Sequence, residues 1–464
     1  MTGSGGPAAR PRRWIAPLRR IARPGRRLAG VAVGVVIGLV IAGTVGAPRW
    51  PFGSEDRLDD GEYLVVLSGK DDSVDGQRQR LIDTWNHGHP HQKARIEVLS
   101  SSADKQHSEM LRRAQSASAP VDVYNLDVTW TAEFAAGHWI RSLSDVDTAG
   151  FLSKPLDTCR YSGDLWALPF NTDAGLLFYR PSTLRAGFND DEWKKSVDPA
   201  RHPPSWYDIK TDAERVRAVM KIDAALLPAA YTGQFADYEG LTVNAMEAVW
   251  AAGGDVVDEN DRIALTSEKA INGIASLREG FADTEIIDES AREQTEAEST
   301  QSFREGRVLF MRNWPVAFRQ LAQRSTDERS NPADDFAVTK LPGPSALGGQ
   351  NLAVSSRSRH PEAARALIEF LTDDASQQAL FQDGGLASTR VRTYQDPQLE
   401  KRYPYAKLLL AAVEGAKLRP VTAHYWSFSQ VFRQVIEEAL NTDRPISADQ
   451  IEALQLALKG KMAR

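Results

Sequence analysis

The segment VDVYNLDVTWTAEFA, residues 121–135, decides how this chain is read. Val121 to Leu126 has the apolar run of a buried strand. Asp127 stands at its C-terminal tip, Trp130 follows three residues later, and a short helical pattern begins there. An acid and an indole at a strand's tip face whatever opens beyond the sheet, so the surrounding elements set their meaning.

Upstream, Glu62–Ser68 reads as a buried strand and Gln77–Trp85 as a helix with Leu81, Ile82 and Trp85 on one face. Gly88 and Pro90 end that helix, Ala94–Leu99 predicts a second strand, and Ala103–Ser116 predicts a second helix. Strand alternating with helix predicts an α/β fold whose parallel sheet carries helices on both faces. In such sheets ligands sit outside the carboxyl ends of the strands, so Asp127 and Trp130 are expected to face a cleft. Capping of the following helix is the other role open to Asp127.

Downstream, LWALPFNTD at 165–173 leads into a strand-like Gly175–Tyr179 and then a mostly helical region, Trp206–Phe281. A turn at Phe303 enters a strand that ends at Asn313-Trp314-Pro315. A last β region spans Phe336–Leu341, a Gly/Pro loop spans Pro342–Gln350, and helix resumes from Pro361 to Lys459.

A chain of 464 residues is long enough for two or three lobes. Residues 1–50 hold nine Arg and no acid; taking these from the net charge of −6 leaves −15 on the remainder. An acidic body of that size argues against nucleic acid as a partner. The single cysteine, Cys159, excludes an intramolecular disulfide framework and reads as a small buried residue. Asp71–Gly76 imitates the start of a calcium loop, but position twelve is Ile82 where a bidentate Glu is needed. His87, His89 and His91 read as a solvated loop, and no nucleophile elbow, phosphate loop or zinc-protease motif is present. No metal and no cofactor is expected.

Leu28–Ala47, LAGVAVGVVIGLVIAGTVGA, is uncharged and long enough to span a bilayer of ~30 Å hydrocarbon, with eight arginines before it. The positive-inside rule then expects a cytoplasmic Arg-rich tail at 1–27, a single transmembrane anchor at 28–47, a linker at 48–60 and an extracellular body. A cleaved signal peptide is the competing reading. Pro48 after the one small-residue cleavage site, and the length of the apolar run, favour the retained anchor. The body is expected to be a monomer once freed of its anchor.

Several segments together resemble the extracellular solute-binding proteins of sugar import systems, the family that includes maltose- and trehalose-binding proteins. They are DVYNLDVTWTAEFAAGHWIRSL at 122–143, LWALPFNTDAGLLFYR at 165–180, YEGLTVNAMEAVWAAGGDVVD at 238–258, FREGRVLFMRNWP at 303–315, LGGQNLAVSSRSRHPEAARALIEFLT at 347–372 and RPVTAHYWSFSQ at 419–430. The resemblance implies a two-lobed, periplasmic-binding-protein-like fold of type II, with two parallel-type sheets and a carbohydrate closed between the lobes. The lipid-anchor cysteine of the family is absent, and the apolar run stands in its place. The lobes are expected at 61–171 plus 307–350 and at 172–306 plus 351–464, with a hinge near Asn171 and Gln350.

A sugar presents hydroxyls around its rim and apolar C–H faces, so its site needs amides, carboxylates and flat rings. The candidate acceptors and donors are Asp127, Asn171, Gln234, Glu239 and Asn351. Trp130, Trp314, Tyr425 and Trp426 are the candidate plates, and Arg390 and Arg419 the candidate donors to ring oxygens. The expected function is capture of a disaccharide or oligosaccharide and delivery to the permease subunits of an ABC importer. A membrane-anchored carbohydrate sensor or scaffold with the same fold is the alternative. A carbohydrate-active enzyme would need two carboxylates flanking one bond, for which Asp127 and Glu239 are the available pair.

Overall fold

A computed structural model describes residues 58–59, 61–116, 121–221, 227–283, 285–323 and 335–461. The expected Arg-rich tail, the apolar span at 28–47 and all but two residues of the linker lie outside the described residues. Among the described residues no helix is long and apolar enough to cross a membrane.

The strands are β1 (Leu64–Ser68), β2 (Ala94–Val98), β3 (Val123–Asp127), a small hairpin of β4 (Arg160–Tyr161) and β5 (Asp164–Leu165), β6 (Leu168–Ala174), β7 (Leu176–Tyr179), β8 (Ala229–Thr232), β9 (Val308–Asn313), β10 (Ala337–Lys340) and β11 (Leu347–Val354). They build one sheet in the order β2-β1-β3-β11-β6 and another in the order β10-β7-β9-β8. β1 is buried along its whole length, as a central strand covered on both faces must be. The edge strand β2 carries Arg95 and Glu97 among its exposed and half-buried positions, charges that discourage pairing with another chain.

Both sheets depart from the parallel type expected. β1 runs parallel to β2 and β3, but β11 is antiparallel to β3 and β6. In the second sheet only β8 and β9 are parallel. The cause is the way the chain changes sheets. β6 and β7 are one extended run interrupted at Gly175, and residues 341–346 join β10 to β11, so these strands pass directly from one sheet to the other without the helical crossover that parallel neighbours need.

The lobe boundaries also differ from the expectation. β9 and β10, from the 307–350 segment, pair with β7 in the second sheet. Helices Pro361–Leu371 and Asp374–Gln382, from the 351–464 segment, pack Ala363, Leu367, Ile368 and Leu380 into the core under the first sheet. The segments that change sheets are Gly175 and residues 341–346, a few residues from the Asn171 and Gln350 expected. The loop expected at 342–350 ends early, because 347–350 are the first residues of β11. Gly349 has φ +123°, and a Cβ there would lie 2.2 Å from the Asn171 carbonyl oxygen, so the two crossing strands approach each other over a bare backbone.

The second core gathers Leu177, Ile209, Val216, Met246, Phe310 and Phe432 around helix Glu239–Ala251. That helix is apolar all round and buried from Gly240 to Trp250, so its single buried acid, Glu247, needs a partner. Arg312 of β9 supplies it, bidentate, with Nε donating to Oε2 at 2.9 Å and Nη2 to Oε1 at 2.8 Å. The Ala346 backbone N–H donates to the same carboxylate at 3.0 Å, and Gly175 lies so close that a Cβ would fall 2.8 Å from Arg312 Nη2. Both crossings are thereby fastened to one ion pair.

Removing one partner of such a pair leaves a buried, uncompensated charge. Glu247→Ala is expected to lower unfolding free energy by about 3–5 kcal/mol in chemical denaturation, and Glu247→Gln, which keeps an acceptor for Ala346, by less.

Candidate functional site

The C-terminal tip of β3 lies beside the crossing strands. Gln350 of β11 is in register with Asp127 on one side and with Asn171 on the other. Because side chains on a strand alternate, Asn125 and Asp127 share one face of the sheet, and Asn171 and Asp173 join them through Gln350. Helix Gln77–Gly88 lays Arg78 over this rim, where its guanidinium donates to Gln350 Oε1, to Ser68 Oγ and to the Lys70 carbonyl. Asn125 Nδ2 donates to Ser68 Oγ at 2.9 Å and to Gln350 Oε1 at 3.1 Å, and Asn171 Nδ2 to Asp173 Oδ2 at 3.1 Å.

Several buried atoms of this rim have no hydrogen-bond partner within the described protein. They are Asn125 Oδ1, Asn171 Oδ1, Asp173 Oδ1 and Arg78 Nε. Native structures pair almost all such groups, so a cluster of them marks a place that works with something other than the protein itself. Trp314 stands over the rim from the second lobe, with its ring edge against Gly348, its Nε1 donating to Glu296 Oε1 at 3.2 Å and the Arg312 guanidinium stacked 3.8 Å from its centroid. Burial pushes the Asp173 carboxyl up to about 7, against the opposing pull of Arg78.

A second cluster joins the lobes directly. Arg419, 3% exposed, donates through Nη2 to Asp127 Oδ1 at 3.2 Å and through Nη1 to Glu239 Oε1 at 2.6 Å. Tyr425 and Ser429 also donate to the Glu239 carboxylate, Ser429 at 2.7 Å. Burial and Glu239 push the Tyr425 hydroxyl well above the ordinary phenol range, so it stays a donor. Asp127 also accepts the Thr129 N–H at 2.9 Å and the Thr129 hydroxyl at 2.7 Å, a local turn rather than the helix cap that was the alternative for it. At the cleft's edge Trp426 stacks 4.3 Å from His107, and Arg433 Nη1 donates to Asp104 Oδ2 at 2.9 Å.

The structure thus brings Asp127, Asn171, Glu239, Trp314, Arg419, Tyr425 and Trp426 to the junction of the lobes. Four expected residues lie elsewhere in role. Trp130 is buried in the first core with an edge of its ring toward His107. Gln234 is fully buried, donating to Ser299 and the Arg312 carbonyl and accepting from Arg312 Nη1. Asn351 faces away from Gln350 and is consumed by Thr131 and Thr158. Arg390 stacks on Phe151 and donates to the Thr372 and Ala149 carbonyls. The three polar ones make their bonds inside the protein and Trp130 is packed in the core, which is why a sequence reading by residue type misplaced them. Arg78, Asp173, Gln350, Asn125 and Ser429 were missed. Asp173 and Asn125 had a signal, since each lies two residues from an expected residue, Asn171 or Asp127, on the same strand face.

Two lobes joined by crossing strands, with a polar rim between them, define a cleft-closing binding protein. The chain belongs to the bacterial extracellular solute-binding protein family, whose profile matches residues 71–378. Members bind solutes and the chain is not an enzyme. It is 28% identical over 322 residues to a probable ABC transporter-binding protein of Deinococcus radiodurans, covering 67% of this chain and 72% of that protein. It is 22% identical over 329 residues to a probable amino-acid ABC transporter periplasmic-binding protein of Sinorhizobium fredii, covering 69% and 72%. Among solved structures it is similar to maltose-bound MalE3 of T. maritima, with TM-score 0.74 and 25% identity over 86% of this chain and 99% of that one. The GacH receptor of Streptomyces glaucescens, determined unliganded and with acarbose, shares the fold at TM-score 0.71 and 20% identity, over 86% and 99%.

Asp173 gives the site a pH signature. The unfolded carboxyl ionises near pH 4, while the folded one keeps its proton to about 7. Between those values the folded state binds more protons, so stability falls as pH rises, and above them the penalty is constant. The stability of Asp173→Asn relative to wild type is therefore expected to grow from pH 4 to pH 7 and then level off, read by denaturant titration at each pH.

Proposed function

We propose that this protein captures a carbohydrate, a disaccharide or similar oligosaccharide, between its lobes outside the cell and passes it to the permease of an ABC importer. The apolar run at 28–47 holds it at the membrane in this reading, with the N-terminus cytoplasmic. The observation that carries the ligand class is the set of unpaired buried atoms at the strand tips. Three of the four, on Asn125, Asn171 and Asp173, are oxygens. Amide and carboxyl oxygens without donors call for ligand O–H groups, which a sugar carries around its rim. Trp314 beside them offers an aromatic surface for the C–H face of a ring. The similarity to a maltose-bound protein over nearly its whole length supports the same class. An amino acid, by contrast, calls for a free cation and a free anion placed to meet its two charged ends. Arg419, Asp127 and Glu239 are already engaged with one another, and at the rim Arg78 is bonded to Gln350, Ser68 and the Lys70 carbonyl while burial pushes the Asp173 carboxyl up to about 7.

Closure follows from the same geometry. A ligand that bonds both the rim of the first sheet and Trp314 favours the state in which the lobes approach, and hinge motion about residues 174–176 and 341–346 brings them together. Asp127, Arg419 and Glu239 then act as the side of the cleft.

A thermal-shift screen of the full chain over sugars and amino acids tests this. A sugar at a hundred times its Kd is expected to add about 2.7 kcal/mol of apparent stability. Trp314→Ala is expected to weaken the best sugar roughly tenfold to a hundredfold by calorimetry. A response to amino acids with none to any sugar sinks the reading.

A further inference from the structure

A second cavity, of about 180 Å³, lies at the opposite end of the first sheet from the strand tips. Its lining includes Tyr63 just before β1, Arg95 of β2, Asp122 just before β3, and Arg357, Arg359 and His360 in the segment after β11. The strands between are five residues long, so roughly 17 Å of sheet separates this cavity from Asp127.

The charges of the lining do not cancel. Asp122 is committed, accepting the Val65 N–H at 2.8 Å and the Ser358 hydroxyl at 2.6 Å. Glu62 pairs with Arg359, and its other oxygen lies 3.3 Å from His360 Nε2. That leaves two guanidinium groups. Arg357 holds a single bond of 3.5 Å to the Gln115 carbonyl, and Arg95 makes no side-chain bond or ion pair among the described residues. His360 is 14% exposed, and neither of its ring nitrogens makes a hydrogen bond. A concave site that keeps surplus guanidinium donors, in a body whose net charge is strongly negative, is built for an anion with several acceptor oxygens.

We propose that the cavity bounded by Arg95, Arg357, Arg359 and His360 is a binding site for a phosphate group, separate from the cleft and independent of what the cleft binds. Arg95 and Arg357 supply the forked donors that match phosphate oxygens, Arg359 adds its charge from the Glu62 pair, and Tyr63 lines the same mouth. Two sources share this chemistry, namely free phosphate or a phosphate monoester, and the phosphodiester headgroup of a lipid.

The test uses the full chain in mild detergent and a phosphate-free buffer. Inorganic phosphate is titrated by calorimetry into wild type and into the double variant Arg95→Ala/Arg357→Ala. Both side chains are exposed and outside the cores, and the Arg-rich N-terminus is common to both proteins, so their difference reads the cavity. The proposal expects one saturable phosphate per chain and at least a tenfold loss of affinity in the double variant. Equal affinity in the two proteins, or no saturable binding in wild type, overturns it. Dimethyl phosphate, a diester with one charge, separates the sources. Binding comparable to phosphate assigns a lipid headgroup, and binding of phosphate alone assigns the free ion or a monoester. Sugar binding in the cleft is expected to be unchanged in the double variant. A simultaneous loss of sugar affinity would mean that the substitutions damaged the lobe, and Arg95→Lys/Arg357→Lys, which keeps both charges but not the forks, must then restore sugar binding and hold phosphate more tightly than the alanine variant for the site to stand.

Discussion

The ion pair of Glu247 and Arg312 is the constraint on which the rest of the molecule depends. It sits where both crossings of the chain meet the second lobe, and four elements are fastened to it. Helix Glu239–Ala251 brings the acid, β9 the base, residue 346 an N–H, and Gly175 the space. The free face of the guanidinium then carries Trp314, whose ring reaches the first sheet at Gly348. A buried pair of this kind is weak evidence for net stability, because desolvation offsets much of its attraction. Its value lies in geometry. It fixes the crossing strands and the aromatic plate relative to one another, and that relation is what a ligand between the lobes meets.

Arg419 does a comparable task on the side of the cleft. Its burial works against its charge, and Asp127, Tyr425 and Glu239 together more than restore it. The acid at the tip of β3 thereby reaches across to the second lobe. One guanidinium bonds both carboxylates and offsets one of their two charges where the lobes meet. The stacking of His107 on Trp426 and the bond from Arg433 to Asp104 continue the same seam outward.

Much of the first lobe was legible in the sequence. β1, β2 and β3 and the two helices between them follow from apolar runs, periodicity and the stops at Gly88 and Pro90, because local preference and tertiary packing agree there. The strand tip at Asp127 was legible for the same reason. β8, only four residues long and containing two alanines, was hidden in a stretch that reads as helix. The lobe boundaries were not legible, because the sheet that β9, β10 and β11 join is settled by pairing between distant segments. The site was half visible. Polar residue type and position near a motif located Asn171, Glu239 and Arg419. The same criteria selected Gln234 and Asn351, whose amides are spent inside the cores. Gln350 is the residue in register with Asp127 and Asn171, and only the strand order reveals it.

The central claim is that ligand hydroxyls complete the hydrogen bonding of the strand-tip rim and draw the lobes onto it. Amide hydrogen exchange, with and without the sugar that raises the melting temperature most, tests it directly. Slower exchange is expected at Asn171–Asp173, at Gln350 and along Arg419–Trp426, with helix Trp206–Met220 unchanged. Protection confined to that helix or to the far end of the first sheet, with the rim unaltered, would contradict the account.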